Sequence, residues 1–106
     1  MERIKKLQSF IAVDPTDLFS RHALGMELVK LGDYNAAIEQ MENILSIDKN
    51  YIGTYYHLGK TYEKITMNDK AIDAYERGIQ IAKQSNKEHE LRELMGALNL
   101  LKDELS

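Results

Sequence analysis

The stretches RHALGMELVK (residues 21–30) and YYHLGKTYEK (residues 55–64) decide how this chain folds. Each carries a Leu-Gly pair with a Lys five residues after the Gly, and Gly25 and Gly59 stand 34 residues apart. The same step aligns Leu24 with Leu58, Lys30 with Lys64, Ala37 with Ala71, Ile38 with Ile72, Glu42 with Glu76 and Ile47 with Ile81. Conservative pairs fill the intervals: Leu18 with Ile52, Leu31 with Ile65, Met41 with Tyr75 and Leu45 with Ile79. No insertion interrupts the alignment, and an ungapped internal period of this length is the signature of a stacked repeat.

Inside each unit the apolar residues keep helical spacing. Leu24, Leu28 and Leu31 step by four and three, as do Leu58, Tyr62 and Ile65. A second stripe of Ile38, Met41, Ile44 and Leu45 is matched by Ile72, Tyr75, Gly78 and Ile79. Between the stripes, Gly32 suits the left-handed residue that ends one helix, and Asp33 suits the cap of the next. Each unit therefore reads as a helix–turn–helix hairpin, and the fold class as all-α. No alternating β-branched run appears, and the only proline is Pro15. Gly25, Gly59, Ala37 and Ala71 are expected where two helices cross closely. A helix-interior Gly costs about 1 kcal/mol relative to Ala, so two at one register point to a steric demand.

The chain resembles the tetratricopeptide repeat family over residues 16–83. The resemblance rests on Leu58-Gly59 with Tyr62, Leu24-Gly25 with Leu28, the GDY triplet Gly32–Tyr34, the AI pairs Ala37-Ile38 and Ala71-Ile72, and the bulky Met41 and Tyr75. It departs from the family at Arg21, a slot usually aromatic that Tyr55 fills in the second unit. It departs again at Thr66–Asn68, a turn without glycine or an aspartate cap that is expected to be the looser of the two. The family implies a right-handed α–α superhelix whose first helices line an inner surface. The expected organisation is one domain over residues 1–106 with about six helices. Residues 2–13 match the second helix of an earlier repeat, with Asp14 in the place of Asp48. Residues 16–49 and 50–83 are the two repeats. Residues 87–105, with the stripe Leu91, Leu94, Met95, Leu98, Leu101 and Leu105, form a capping helix with a polar outer face.

Composition narrows the function classes. The chain of 106 residues, 43% hydrophobic and 29% charged, fits one soluble domain. A net charge of −3 gives no general attraction to nucleic acid phosphates. The absence of cysteine removes disulfides, thiolate metal sites and a Cys nucleophile. It fits a reducing compartment, and a cytoplasmic location is expected. Phe10–Val13 is too short for a signal core, nothing approaches a membrane span, and no membrane partner is expected. KDEL at Lys102–Leu105 is followed by Ser106 and reads as the polar end of a helix, not a retrieval signal.

No catalytic motif stands out: the glycines are scattered singly, and there is neither a metalloprotease helix motif nor a nucleophile elbow. A non-enzymatic protein without cofactor or metal is expected. His22 and His57 lie on the first helices of consecutive repeats but lack a third ligand, so they read as polar groove residues; His89 reads as a surface residue. In the family geometry, a peptide-binding groove is lined by Phe19, His22, Met26 and Lys30 from one repeat and by Tyr56, His57, Lys60 and Lys64 from the next. That face is mildly basic and carries aromatic and thioether surface, which suits a protein or peptide segment bearing acidic groups. The chaperone-tail carboxylate clamp of some family members is not carried over, because His22, Met26 and His57 occupy its positions. The alternative function is assembly through exposed terminal helix faces. On residues 2–13 the stripe Ile4, Leu7, Phe10 and Ile11 is wider than one neighbouring helix covers. The helix tilts into the space, two copies pair as a homodimer, or Met1 marks a cut from a longer solenoid; pairing is the expectation.

Overall fold

The computed structural model describes residues 2–106, so Met1, and with it the alternative of a cut there, lies outside the described residues. Six helices follow one another: α1 (Glu2–Val13), α2 (Leu18–Lys30), α3 (Tyr34–Ile47), α4 (Gly53–Lys64), α5 (Asn68–Gln84) and α6 (Glu88–Leu105). No strand occurs among the described residues. Successive helices pack against each other throughout, and α4 also touches α6. The result is a two-layer superhelix with α2, α4 and α6 in one layer and α1, α3 and α5 in the other.

The turns explain why the layers alternate. After α2, Gly32 takes φ +79°, while its amide donates to Val29 O and the Asp33 amide to Leu28 O, each at 2.9 Å. Asp33 then accepts from the Ala36 amide at 3.4 Å and caps α3. The turn after α4 repeats these bonds, Thr66 N to Glu63 O and Met67 N to Tyr62 O at 3.0 Å, with Thr66 itself at φ +58°. Its backbone bonds are thus the same, but Met67 at the start of α5 supplies no side-chain cap in the place of Asp33. A β-branched residue is held in the left-handed region, a strained conformation for an L side chain. Asn86, at φ +56°, closes the same kind of turn between α5 and α6. This third tight turn, with no counterpart in the repeat alignment, is where the 34-residue register ends.

The longer connections also match. Asp14 accepts from the Thr16 amide at 3.0 Å, and Asp48 accepts from the Asn50 amide at 2.9 Å. The slot that departs from the family still ties its helix to the preceding connection. Arg21 Nε donates to Pro15 O at 2.8 Å, as the Tyr55 hydroxyl donates to Lys49 O at 2.6 Å. Donor and acceptor in both pairs are related by the 34-residue step.

One continuous core runs from α3 to α6 and includes Met41, Tyr55, Leu58, Tyr62, Tyr75 and Leu94. Burying a side chain such as Leu58, which has no exposed surface, contributes about 1.5–3 kcal/mol. The buried tyrosines keep their hydroxyls bonded: Tyr62 donates to Glu42 at 2.7 Å, and Tyr75 donates to Glu63. Burial and these carboxylates push both phenols well above the usual tyrosine range.

The paired glycines are not equivalent. A Cβ built on Gly59 meets Tyr75 Cε1 at 2.2 Å, whereas one built on Gly25 meets only Met41 carbons at 3.6 Å and the Ala37 carbonyl oxygen at 3.8 Å. The close crossing expected at both positions thus exists at Gly59 alone. Gly78 is a second close approach: a methyl carbon placed there lies 2.6 Å from Tyr55 Cβ and 2.9 Å from Leu94 Cδ1.

The stripe of α1, expected to be wider than one neighbour covers, is covered in part. Ile4 and Leu7 are buried against Leu24, and the half-buried Ile11 packs on the same cluster with Ala23 and Leu28. Phe10 stays 48% exposed, although its counterpart Ile44 is fully buried. The reason is that α2 alone covers three positions of the stripe. Only the flank that carries Phe10 lacks a neighbour among the described residues.

Candidate functional site

The inner face is built where α2 and α4 lie side by side. Leu24 and Leu58 point their side of each helix into the core, and the residues about 100° round from that side come to the open surface. Between the two helices is a recess of about 70 Å³ lined by Met26 and Val29 from α2 and by His57, Lys60, Thr61 and Lys64 from α4. Its lining is mostly carbon, with two ammonium groups and one imidazole at the rim.

His22 and His57 meet at the upper end of this recess. Their ring centroids are 5.6 Å apart, edge to face, and His22 lies 6.1 Å from the ring of Tyr51. His22 Nδ1 is 3.3 Å from the hydroxyl of Thr54, a residue with no exposed surface. Tyr56 stands edge-on to His57 at 5.5 Å, and the Lys60 ammonium sits 5.7 Å from the Tyr56 ring centroid. Such a placement favours the cation through the quadrupole of the ring. Burial holds both imidazoles below the usual histidine range. For His22 the neighbouring His57 adds to the depression, and for His57 the Glu93 carboxylate on α6 offsets part of it.

Met26, His57, Lys60 and Lys64 thus converge on one recess, and His22 and Tyr56 flank it. The remaining two of the eight expected groove residues do not line it. Phe19 is 74% exposed near the start of α2. Lys30 turns toward Glu27, 3.1 Å away, and Glu27 is also bridged by Arg3 of α1 at 3.3 Å. Five contributors lie outside the expected set: Val29 and Thr61 in the recess lining, and Tyr51, the buried Thr54 and Glu93 around the histidine pair. A signal for Glu93 is present in the chain, because it immediately precedes Leu94 in the α6 stripe just as His57 precedes Leu58.

On the opposite layer the polar groups are mutually engaged. Arg77 bridges Glu42 at 3.4 Å and Asp73 at 3.0 Å, with its guanidinium carbon 5.8 Å from the Tyr55 ring centroid. Among the described residues no cluster of three or more metal-ligating side chains occurs, and no helix is long and apolar enough to cross a membrane.

Known proteins share this sequence pattern and this geometry. The family descriptions "TPR repeat" and "Tetratricopeptide repeat" match residues 25–65 and 52–85. A tetratricopeptide repeat domain protein of Salinibacter ruber is 38% identical in its crystal structure, with 82% of this chain and 97% of that one covered and a TM-score of 0.77. The chain belongs to the tetratricopeptide repeat family. A curated TPR repeat-containing protein of Methanocaldococcus jannaschii is 30% identical over 81 residues, 76% of this chain and 25% of that protein. The chain therefore spans a quarter of the length of this relative. PcrH, in a crystal structure with the chaperone binding region of PopD, shares the fold at a TM-score of 0.89 and 17% identity, over 97% of this chain and 78% of that one. As in other tetratricopeptide repeat folds, the helices here form an all-α superhelix.

Proposed function

We propose that this tetratricopeptide repeat chain is a non-enzymatic module whose inner face holds a segment of another protein, and that the segment carries acidic groups. The observation that carries the reading is the recess between α2 and α4. There Lys60, Lys64 and His57 surround apolar surface from Met26 and Val29. A chain of net charge −3 that gathers cations at one apolar hollow has a local field opposite to its overall charge. Rigid aromatic area at Tyr56 adds contact surface with little entropy loss. The complex of PcrH with a region of PopD supports the reading, because it is the same fold engaged with a stretch of another protein.

Affinity capture from the source cell tests it, with wild type compared against the double variant Tyr56→Ala/Lys60→Glu. The partner is lost or strongly reduced with the double variant, and capture of wild type weakens as salt rises. A partner retained equally by both proteins moves the site off the inner face. The second reading, pairing of copies through α1, rests on the exposed Phe10 and Val13, since Ile4 and Leu7 are covered.

A further inference from the structure

The inner face carries a titratable ladder that crosses three helices: His22 on α2, His57 on α4 and Glu93 on α6. The two imidazoles are 5.6 Å apart, and one of them borders the same recess as Lys60 and Lys64. We propose that His22 and His57 make the inner face a proton-linked receptor, which binds a carboxylate-bearing segment more tightly as the pH falls below neutrality. The proposal rests on the reading of the inner face as the binding site.

The physical argument starts with the free protein. Both rings are half-buried, and the loss of water around them disfavours a charged imidazolium. The groups that face the pair are few. From the α3–α4 connection comes Tyr51, from α4 come Thr54, Tyr56, Lys60 and Lys64, and from α6 comes Glu93. Of these only Glu93 favours a proton on the pair; the two lysines and the second histidine oppose it. Near pH 7 both rings are therefore neutral, and the cationic character of the recess comes from the lysines. A ligand carboxylate placed against Lys60 and Lys64 changes this balance. It adds a negative charge beside His57 in a region of reduced dielectric, so the imidazolium becomes favourable in the complex. The complex takes up a proton that the free protein does not hold, and linkage then requires the affinity to rise as the pH falls. The half-buried Thr54–His22 pair stays polar in either state, because the Thr54 hydroxyl both donates and accepts. His57, in the recess and within the field of the Glu93 carboxylate, is the principal proton site; His22 limits the uptake, since two charges at this spacing repel.

The test uses a fluorescein-labelled peptide of glutamate and leucine, with anisotropy titrations at constant ionic strength between roughly pH 7.5 and 5.5, the range that a histidine spans. For wild type the dissociation constant falls toward low pH, by at most about tenfold for each unit by which the ligand raises the histidine pKa, and proton uptake on binding is measurable by calorimetry in two buffers. For His57→Gln the affinity is flat over that range, with circular dichroism showing the fold intact. NMR titration of the ring protons in the free and bound protein gives a second readout: the His57 midpoint moves up on binding. Equal affinity at both pH values, or the same pH slope in wild type and His57→Gln, overturns the proton linkage and leaves the inner-face reading standing. A wild-type protein that binds the peptide at neither pH overturns the acidic-segment reading and this inference together.

Discussion

Replacing Gly59 with alanine adds one methyl group at the glycine with the least room for it. The new Cβ lies 2.2 Å from Tyr75 Cε1 and 2.6 Å from Cδ1 and Cζ. Two carbons rest comfortably at about 3.5–4.0 Å, so the ring or the helix axis must retreat by more than about 1 Å. Tyr75 cannot rotate away, because it has no exposed surface and its hydroxyl is held by Glu63. Overpacking of this kind costs about 1–3 kcal/mol, and removal of a helix-interior glycine returns about 1 kcal/mol. The net effect of Gly59→Ala is a loss of up to about 2 kcal/mol. At Gly25 the balance reverses. Its added Cβ is 3.6 Å from Met41, an ordinary contact with a flexible side chain, so Gly25→Ala keeps the helix gain of about 1 kcal/mol. In a domain of this size each kcal/mol moves the melting temperature by about 4–8 °C, so the two variants move in opposite directions by a measurable margin. Urea and thermal unfolding, followed by far-ultraviolet circular dichroism, decide it. Variants that shift together, in either direction, refute the assignment of the crossing to Tyr75.

Thr66→Gly stabilises the chain by about 0.5–1 kcal/mol, as relief at φ +58° outweighs the extra freedom of glycine in the unfolded state; a lower urea midpoint contradicts the strain at this turn. Tyr75→Phe lowers stability by about 1–2 kcal/mol because the buried hydroxyl bond to Glu63 is lost, and an unchanged midpoint means that water replaces it. Stability is greatest above the ordinary histidine pKa of about 6.5 and declines as the pH falls below it, because His22 and His57 resist in the folded state the proton that the unfolded chain accepts. The double variant His22→Gln/His57→Gln flattens that decline in pH-dependent unfolding curves. A decline of unchanged steepness assigns it to other groups.

Much of the architecture is legible in the sequence because a repeat is written twice. The ungapped step from Leu24-Gly25 to Leu58-Gly59 determines which helix faces are equivalent, and GDY at Gly32–Tyr34 marks the turn and cap that are found. What the repeat does not carry is the identity of the partner across an interface. Gly25 and Gly59 are paired in sequence, yet one faces Met41 and the other Tyr75, and only the aromatic ring forbids a methyl group. Arg21 looks like a departure until its acceptor, Pro15 O, is seen to match the Lys49 O used by Tyr55. The α1 stripe is wider than its one neighbour covers, as its spacing implies: α2 buries Ile4 and Leu7, and Phe10 stays half exposed. In the site, the family resemblance implies Met26, His57, Lys60 and Lys64 on the inner face, and these four line the recess. Lys30 does not, because its ammonium is drawn to Glu27 on the α1 side of the same helix. Glu93 lies beyond the end of the 34-residue register, so its place before Leu94 in the α6 stripe gains meaning once α6 is seen beside α4.

The central claim is that a protein segment lies along α2 and α4 on the inner face. Backbone amide spectra of isotope-labelled protein, recorded while the captured partner segment is added, test it most directly. The account predicts that the largest shifts fall at Met26, Tyr56, His57, Lys60 and Lys64, while α3 and the Arg77 side of α5 stay still. Shifts concentrated on α3 and α5, with the recess residues unmoved, contradict it.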